Sequence, residues 1–510
     1  MILRRSPTAF FWICLLALFS YWVWTPLLND FGGDSAEYLL IAQHWSFFGE
    51  PNMASAQFAA ATNYPPFYPL LLALFSGGQS WLIAHQITAF CGIAALFVLW
   101  RNFLVEDYPP VSSLIFVGIV ALIPGVYSQA LYIHSEFLFL LFVSLCLFAV
   151  SRLERETKLR FVVVASLAAA GAYLTRSIGI SLVAALVIYF GLHRPKREWT
   201  IVFGFAVVPV LVWTLFRQTH SGGYLGVWEE RLAMANAPDI VDVVMSKGRA
   251  LLDGYVVNFA GAGSSNTAAL MLFSIVCFAA WLVRLAQGKL DALFIGAYLV
   301  ILLVWPFPAE RVRFIMPVVP ILVMQVLLYL HGLRLNRHKR SAILVSRAIV
   351  LMLLITILPS LVLTAQRHFE SMPIEFEDYR RSPEWYAAAN RNDRLSTILR
   401  VQRFTVGFEE IRKHVPKHEC VYSIKPSLVG LYGQRTSYRS PLPNSKLGLQ
   451  LDPLAVACRY VSTVAFASPS YLEGHYPIGR WANGVDLVHV TRMIESDAAS
   501  DVIAILAKVR

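Results

Sequence analysis

Apolar runs of about 15 to 24 residues recur along this chain. No other feature limits its fold so strongly, because crossing the hydrocarbon of a bilayer as an α-helix takes roughly 20 apolar residues. Eleven runs are read as transmembrane helices: 8–28, 79–100, 111–128, 133–151, 161–175, 178–192, 199–216, 266–286, 290–305, 314–333 and 342–365. With 57% hydrophobic and 15% charged residues, the 510-residue chain is too apolar for a soluble domain. The expected fold is an α-helical polytopic membrane protein. Its first run follows a basic start, as a secretory signal would, but it is too long and no small-x-small cleavage site follows, so it is read as a retained helix.

Orientation follows from charge, because cytoplasmic loops are enriched in Lys and Arg. Placing the N-terminus inside makes segments 1–7, 101–110, 151–160, 193–198, 284–291 and 333–347 cytoplasmic, and these hold 17 Lys plus Arg against 6 Asp plus Glu. The rest of residues 1–365 holds 7 against 11. The net charge of +11 is therefore mostly a topology signal for a protein of the plasma (inner) membrane with a cytoplasmic N-terminus. A nucleic-acid partner is not expected, since no stretch interleaves Arg, Lys and aromatics on a soluble face.

Three segments are expected on the outer side: loops 29–78 and 217–265, and the tail from Gln366. The chain thus divides into a membrane domain, 1–365, and an extracytoplasmic α/β domain, 366–510. In the tail, "FEEIRKHVP" and "KPSLVGLYGQ" have helical patterns, whereas "CVYSI", "YVSTVAFAS" and "VDLVHVTR" read as strands. Of six cysteines, Cys14, Cys91, Cys146 and Cys277 lie in apolar runs, while Cys420 and Cys458 each precede an expected strand of the external tail. A disulfide between these two is chemically permitted there. No Cys or His spacing resembles a zinc site, so no metal ligand and no cofactor is assigned, and the need for a divalent metal stays open.

Carboxylates at the outer ends of the runs are the candidates for chemistry. In "GGDSAEYLLIAQHW", Asp34, Glu37, Tyr38 and Ile41 share one helix face, and Leu39, Leu40, Ala42 and Trp45 could dock the other side into the headgroup region. Asp34 and Glu37 also fit a capping box, a role compatible with catalysis. "NYPPFYPLLLALF" brings Asn63 and Tyr64 before paired prolines that fix an extended backbone. "QALYIHSEFLFLLF" sets His134 and Glu136 at the start of the fourth run. A carboxylate within a span costs about 2.5 to 3.5 kcal/mol, so Glu136 should face a polar cavity or sit at headgroup level. Three further cations stand at outer mouths: Arg176 in "LTRS", and Arg311 and Arg313 in "PAERVRF". Snorkelling to headgroups would account for Arg176, and pairing with Glu310 or lipid phosphate for the other two. Lys247 and Arg249 lie in the second outer loop.

"GDSAEYLLIA", "NYPPFYPLLLAL", "YIHSEFLFLL", "GAYLTRSIGI" and "RFIMPVVPIL", in this order, resemble the membrane-embedded GT-C glycosyltransferases. The resemblance is narrower to the branch of protein O-mannosyltransferases and lipid A aminoarabinose transferases, and it covers residues 1 to about 335. It implies an inverting transfer of a monosaccharide from a polyprenyl-phosphate donor to a glycolipid, glycan or protein acceptor on the outer side of the membrane. Asp34 then corresponds to the general base and Glu136 to the second acidic position. Many members have Asp followed directly by Glu, whereas Ser35 and Ala36 here separate Asp34 from Glu37. Arg176, Arg311 and Arg313 become candidates for the donor phosphate, and Tyr38, Asn63, Tyr64 and His134 for substrate contacts.

Two other function classes fit a polytopic chain. A transporter or flippase of lipid-linked sugars would show internal repeats and charges in mid-span; neither is seen. A non-catalytic assembly or sensor protein would have no use for Asp34 and Glu136 at the outer ends of helices.

Overall fold

A computed structural model describes residues 34–48, 51–61, 64–105, 117–130, 132–221, 240–261, 267–304, 311–335, 348–349, 351–359, 362, 407–423, 425–439, 458–464, 485–492 and 502–509. The expected span 8–28 lies outside these residues, as do much of 342–365, Asn63 and the start of the tail. Two compact units make up the chain: Met1–Pro26, Asn63–Tyr68 and Leu82–Glu370 form one, and Leu27–Thr62, Pro69–Trp81 and Ser371–Arg510 form the other.

Among the described residues, five helices are long and apolar enough to cross a membrane: Trp81–Val105, Glu136–Glu156, Lys196–Arg217, Ala268–Ala286 and Val312–Gly332. Shorter apolar helices at Leu159–Thr175, Ser177–His193 and Leu290–Leu303 accompany them among the described residues, which do not include every one of the eleven expected spans. The protein is an integral membrane protein. Burial separates inner from outer helices, since 83% of the Val312–Gly332 window is enclosed by protein against 17% for Lys196–Arg217 and 22% for Ala268–Ala286. On the last of these, Met271, Ile275 and Phe278 are exposed at i, i+4 and i+7. Such an exposed apolar stripe suits a helix that faces lipid.

Local sequence explains the irregularities of this unit. Pro209 has no N–H to continue an α-helical ladder, and a π-helical turn, Phe203–Val207, precedes it between Lys196–Val202 and Val208–Ser221. Glu136–Glu156 and Leu159–Thr175 form a tight hairpin whose turn places Thr157 in the left-handed region (φ 46°). The charges expected on the inner side also bind one another. Arg284 grips buried Asp291 through Nε (2.6 Å) and Nη2 (3.1 Å), and Lys289 reaches Glu154 at 2.7 Å. Within the second loop expected outside, residues Ile240–Ala260 form a 21-residue helix carrying Lys247 and Arg249.

The second unit holds a five-stranded sheet: β1 (Val421–Ser423), β2 (Ser437–Arg439), β3 (Tyr460–Val464), β4 (Val485–Arg492) and β5 (Val502–Val509), in the order β2-β1-β3-β5-β4. β1 runs parallel to β2 and β3, and β5 is antiparallel to both its neighbours. Val421 pairs with Tyr460, which brings the preceding cysteines together, and Cys420 and Cys458 form a disulfide with Cα atoms 4.9 Å apart. At the β2 edge, the Gln57 side-chain amide acts as a strand residue would: Nε2 donates to Ser437 O (2.7 Å) and Oε1 accepts from Ser437 N (3.0 Å). That satisfies edge groups which would otherwise invite another strand.

The helix Asp34–Trp45 does not lie on a membrane surface as its pattern suggests. Ser35, Ala36 and all of Tyr38 to Ala42 are buried, so protein covers both the side expected to meet headgroups and much of the other. It packs on Met53–Ala61, a helix capped by Asn52 Oδ1 on Ser55 N (2.7 Å). Leu40, Ala54 and Phe58 close on Gly430, where a Cβ would stand 3.1 Å from the first and third.

Candidate functional site

In the first unit, two arginines far apart in sequence converge on one carboxylate. Glu136 opens its helix with 0% exposure, and its Oε1 accepts from Arg176 Nη1 and from Arg313 Nε. Both arginine side chains are about as buried, at 10% and 11% exposure. Two guanidiniums thus meet on one buried carboxylate.

Each arginine is positioned by its own segment. Arg176 ends the helix Leu159–Thr175 in extended conformation (φ −147°, ψ 132°), and a 3₁₀ turn, Ser177–Gly179, leads into Ile180–His193. That turn lies against the preceding helix so closely that a Cβ on Gly179 would meet Ala172 C and Tyr173 N at 2.5 Å; only glycine fits. Arg176 also donates to Ser135 Oγ (3.3 Å), and its guanidinium lies 5.4 Å from the Phe314 ring centre. Arg313 belongs to a short helix, Arg311–Ile315, whose backbone is held from two sides. Asn258 Nδ2 donates to Val312 O (2.8 Å), and Tyr298 hydroxyl to Phe314 O (2.7 Å). Asn258 in turn rests on Gly125, where a Cβ would fall 1.8 Å from its Oδ1.

Of the other candidates in this unit, His134 is buried and bonds through Nδ1 to Gln129 Oε1 (3.0 Å), its ring stacked on Tyr132 at 5.1 Å. Tyr64 is half-buried. The side chain of Arg311 lies outside the described residues. Arg217, not singled out from sequence, is 6% exposed and donates through Nη1 to Ser177 Oγ (3.2 Å), on the turn that follows Arg176. Its only signal in the sequence is a charge directly after the run 199–216.

The remaining candidates belong to the second unit. Asp34 and Glu37 occupy the first turn of their helix, where negative charge is favoured by the helix dipole, and Tyr38 is 2% exposed. Burial, the charge of Asp34 and an opposing effect of Lys425 together push the Glu37 carboxyl up to about 8. Glu37 is thus mostly protonated at neutral pH, whereas a general base must be able to receive a proton.

The same unit contains a cavity of about 450 Å³ lined by Gln43, Asn52, Gln79, Gln434, Trp81 and Tyr432, among others. Trp81 and Tyr432 stack with ring centres 6.2 Å apart. Gln434 is held at φ 50°, a conformation unfavourable for a residue with a side chain. Amides and aromatic faces without a charge make a lining suited to neutral, hydroxyl-rich groups.

No protein-family model matches the sequence, and no curated protein matches it. Solved structures do. The apo structure of ArnT from Cupriavidus metallidurans superposes with a TM-score of 0.50 at 11% identity, covering 98% of this chain and 97% of that one. The same protein bound to undecaprenyl phosphate gives 0.46 at 13% identity over 98% and 97%. The archaeal oligosaccharyltransferase AglB from Archaeoglobus fulgidus, in complex with an inhibitory peptide and a dolichol-phosphate, gives 0.46 at 12% identity over 94% of this chain and 73% of that one. At such identities the likeness is one of fold, and it spans nearly the whole chain: the architecture resembles that of ArnT.

Proposed function

We propose that the protein is an inverting glycosyltransferase that moves a monosaccharide from a polyprenyl-phosphate donor to an acceptor on the outer side of the membrane. The observation that carries this reading is the buried pair of guanidiniums on Glu136. A polyprenyl-phosphate sugar is a phosphodiester with one negative charge; when the sugar leaves, the phosphate becomes a monoester with nearly two. Guanidiniums fixed in place therefore hold the departing phosphate more strongly than the donor. That difference is what lowers a barrier. Glu136 aligns the guanidiniums and cancels part of their charge, so the donor itself is not bound too tightly.

The transfer is one displacement. The acceptor oxygen bonds to the anomeric carbon as its proton passes to Asp34, and the carbon–oxygen bond to phosphate breaks with its electron pair going to the phosphate. Asp34, not Glu37, is assigned as base, because Glu37 already holds a proton near neutral pH. The neutral amide and aromatic lining of the cavity around Trp81 favours an acceptor with a sugar portion, a glycolipid or glycan.

Purified protein incubated with a panel of polyprenyl-phosphate sugars and membrane glycolipids tests the reading. Asp34→Asn should cut turnover by about 10²- to 10⁴-fold. Arg176→Ala or Arg313→Ala should weaken donor use by about 10- to 150-fold with acceptor KM little changed. Wild-type donor kinetics in both arginine variants would refute the phosphate assignment.

A further inference from the structure

We infer that Glu410, His414 and His489 form a site for a divalent transition metal of the zinc type, which clips the helix of residues 407–414 to strand β4. One carboxylate oxygen and two imidazole nitrogens lie within 4.8 Å of one another. Glu410 and His414 are four apart on one helix and so share a face. His489 comes from 75 residues further along the chain, where β4 breaks register against β5 between Leu487 and His489. Such bulges turn a side chain out of the strand's alternation.

The spacing is close to what a metal requires. Tetrahedral zinc with bonds of about 2.0 to 2.2 Å separates its ligand atoms by roughly 3.3 to 3.5 Å. Glu410 Oε2 and His414 Nε2 already stand 3.6 Å apart, and the two imidazole rings are stacked with centres 5.2 Å apart. His489 supplies the third ligand atom within the same 4.8 Å. Glu410 divides its oxygens: Oε1 accepts from Lys413 Nζ (2.6 Å) while Oε2 faces His414. The Lys413 ion pair is exposed and weak, so it orients the carboxylate without competing strongly for it.

The helix is also anchored at its other end. Arg435 donates to the carbonyls of Arg412 (2.8 Å) and Val415 (2.7 Å), fixing the last turn that carries His414. Two imidazoles with one carboxylate suit zinc better than magnesium or calcium, which prefer oxygen ligands throughout. With three protein ligands, water would fill the fourth position. Bound metal would then join the helix to β4, the edge strand opposite β2.

Full-length protein in detergent, its affinity tag removed and its metal stripped by chelator, is titrated with Zn²⁺ and separately with Co²⁺. The expected result is saturable binding of one Zn²⁺ per chain, a rise in melting temperature, and a tetrahedral Co²⁺ absorption spectrum, with no response to Mg²⁺. His414→Gln and His489→Gln should each weaken binding at least about tenfold. His489→Cys should retain Co²⁺ and add a sulfur-to-cobalt charge-transfer band, which distinguishes loss of a ligand from loss of fold. No saturable binding to the wild type, or equal affinity in wild type and both glutamine variants, overturns the proposal.

Discussion

Replacing Glu37 with Gln should change how stability depends on pH, and the structure gives the sign of that change. Burial and the charge of Asp34 raise the Glu37 carboxyl from its ordinary value of 4.5 to about 8. Between those values the folded protein keeps a proton that the unfolded chain has released. Stability is therefore fully present below the lower value, falls by up to about 1.4 kcal/mol per pH unit in the window, and levels off above the upper one. The whole gap corresponds to roughly 5 kcal/mol, and partial exposure of the side chain screens this to about 2 to 4 kcal/mol. Glutamine keeps the shape and cannot ionise. Thermal unfolding of the two proteins in the same detergent, followed by intrinsic fluorescence, should coincide near pH 4 and diverge as pH rises. By about pH 8 the variant should melt several degrees higher than the wild type. Curves that stay parallel across this range would refute a buried, protonated Glu37, and with it the reason for assigning the base to Asp34.

Glu136→Gln removes the carboxylate that two buried arginines share, at a cost of about 3 to 5 kcal/mol. The melting temperature should fall, and adding Arg313→Met should restore part of the loss; a neutral single variant would contradict the buried cluster. Gly125→Ala forces a methyl into Asn258, whose amide supports the Arg313 segment, and should cost about 1 to 3 kcal/mol while raising the donor KM. Loss of the Cys420–Cys458 disulfide, which spans 38 residues, should lower stability by about 2 to 4 kcal/mol. Equal melting of the reduced and oxidised protein would show that the link stabilises nothing.

Sequence alone determined the membrane character, because span length and apolar content answer to the thickness of a bilayer and not to neighbouring residues. Helices at Trp81–Val105, Glu136–Glu156 and Thr267–Ala286 fall where apolar runs place them. Strands at Val421–Ser423, Tyr460–Val464 and Val485–Arg492 fall where alternation of residue types does. The strand Ser437–Arg439 is too short to carry an alternation, and Val502–Val509 reads equally as a helix. Sequence also selected Glu136, Arg176 and Arg313, as charges at the ends of apolar runs.

It could not say that these three meet. Arg176 and Arg313 lie 40 and 177 residues from Glu136, and only the packing of three separate segments turns expected lipid-facing cations into partners of one carboxylate. Asp34–Trp45 shows the same limit. Its pattern permits a helix resting on lipid, but burial of Ser35 and Ala36 depends on which surface comes to cover them. Local preference is decided by residues within a few positions of one another, whereas the electrostatics of a site depend on burial and on charges brought close by the fold. The raised Glu37 carboxyl, the paired arginines and the Glu410–His414–His489 cluster are all of this second kind.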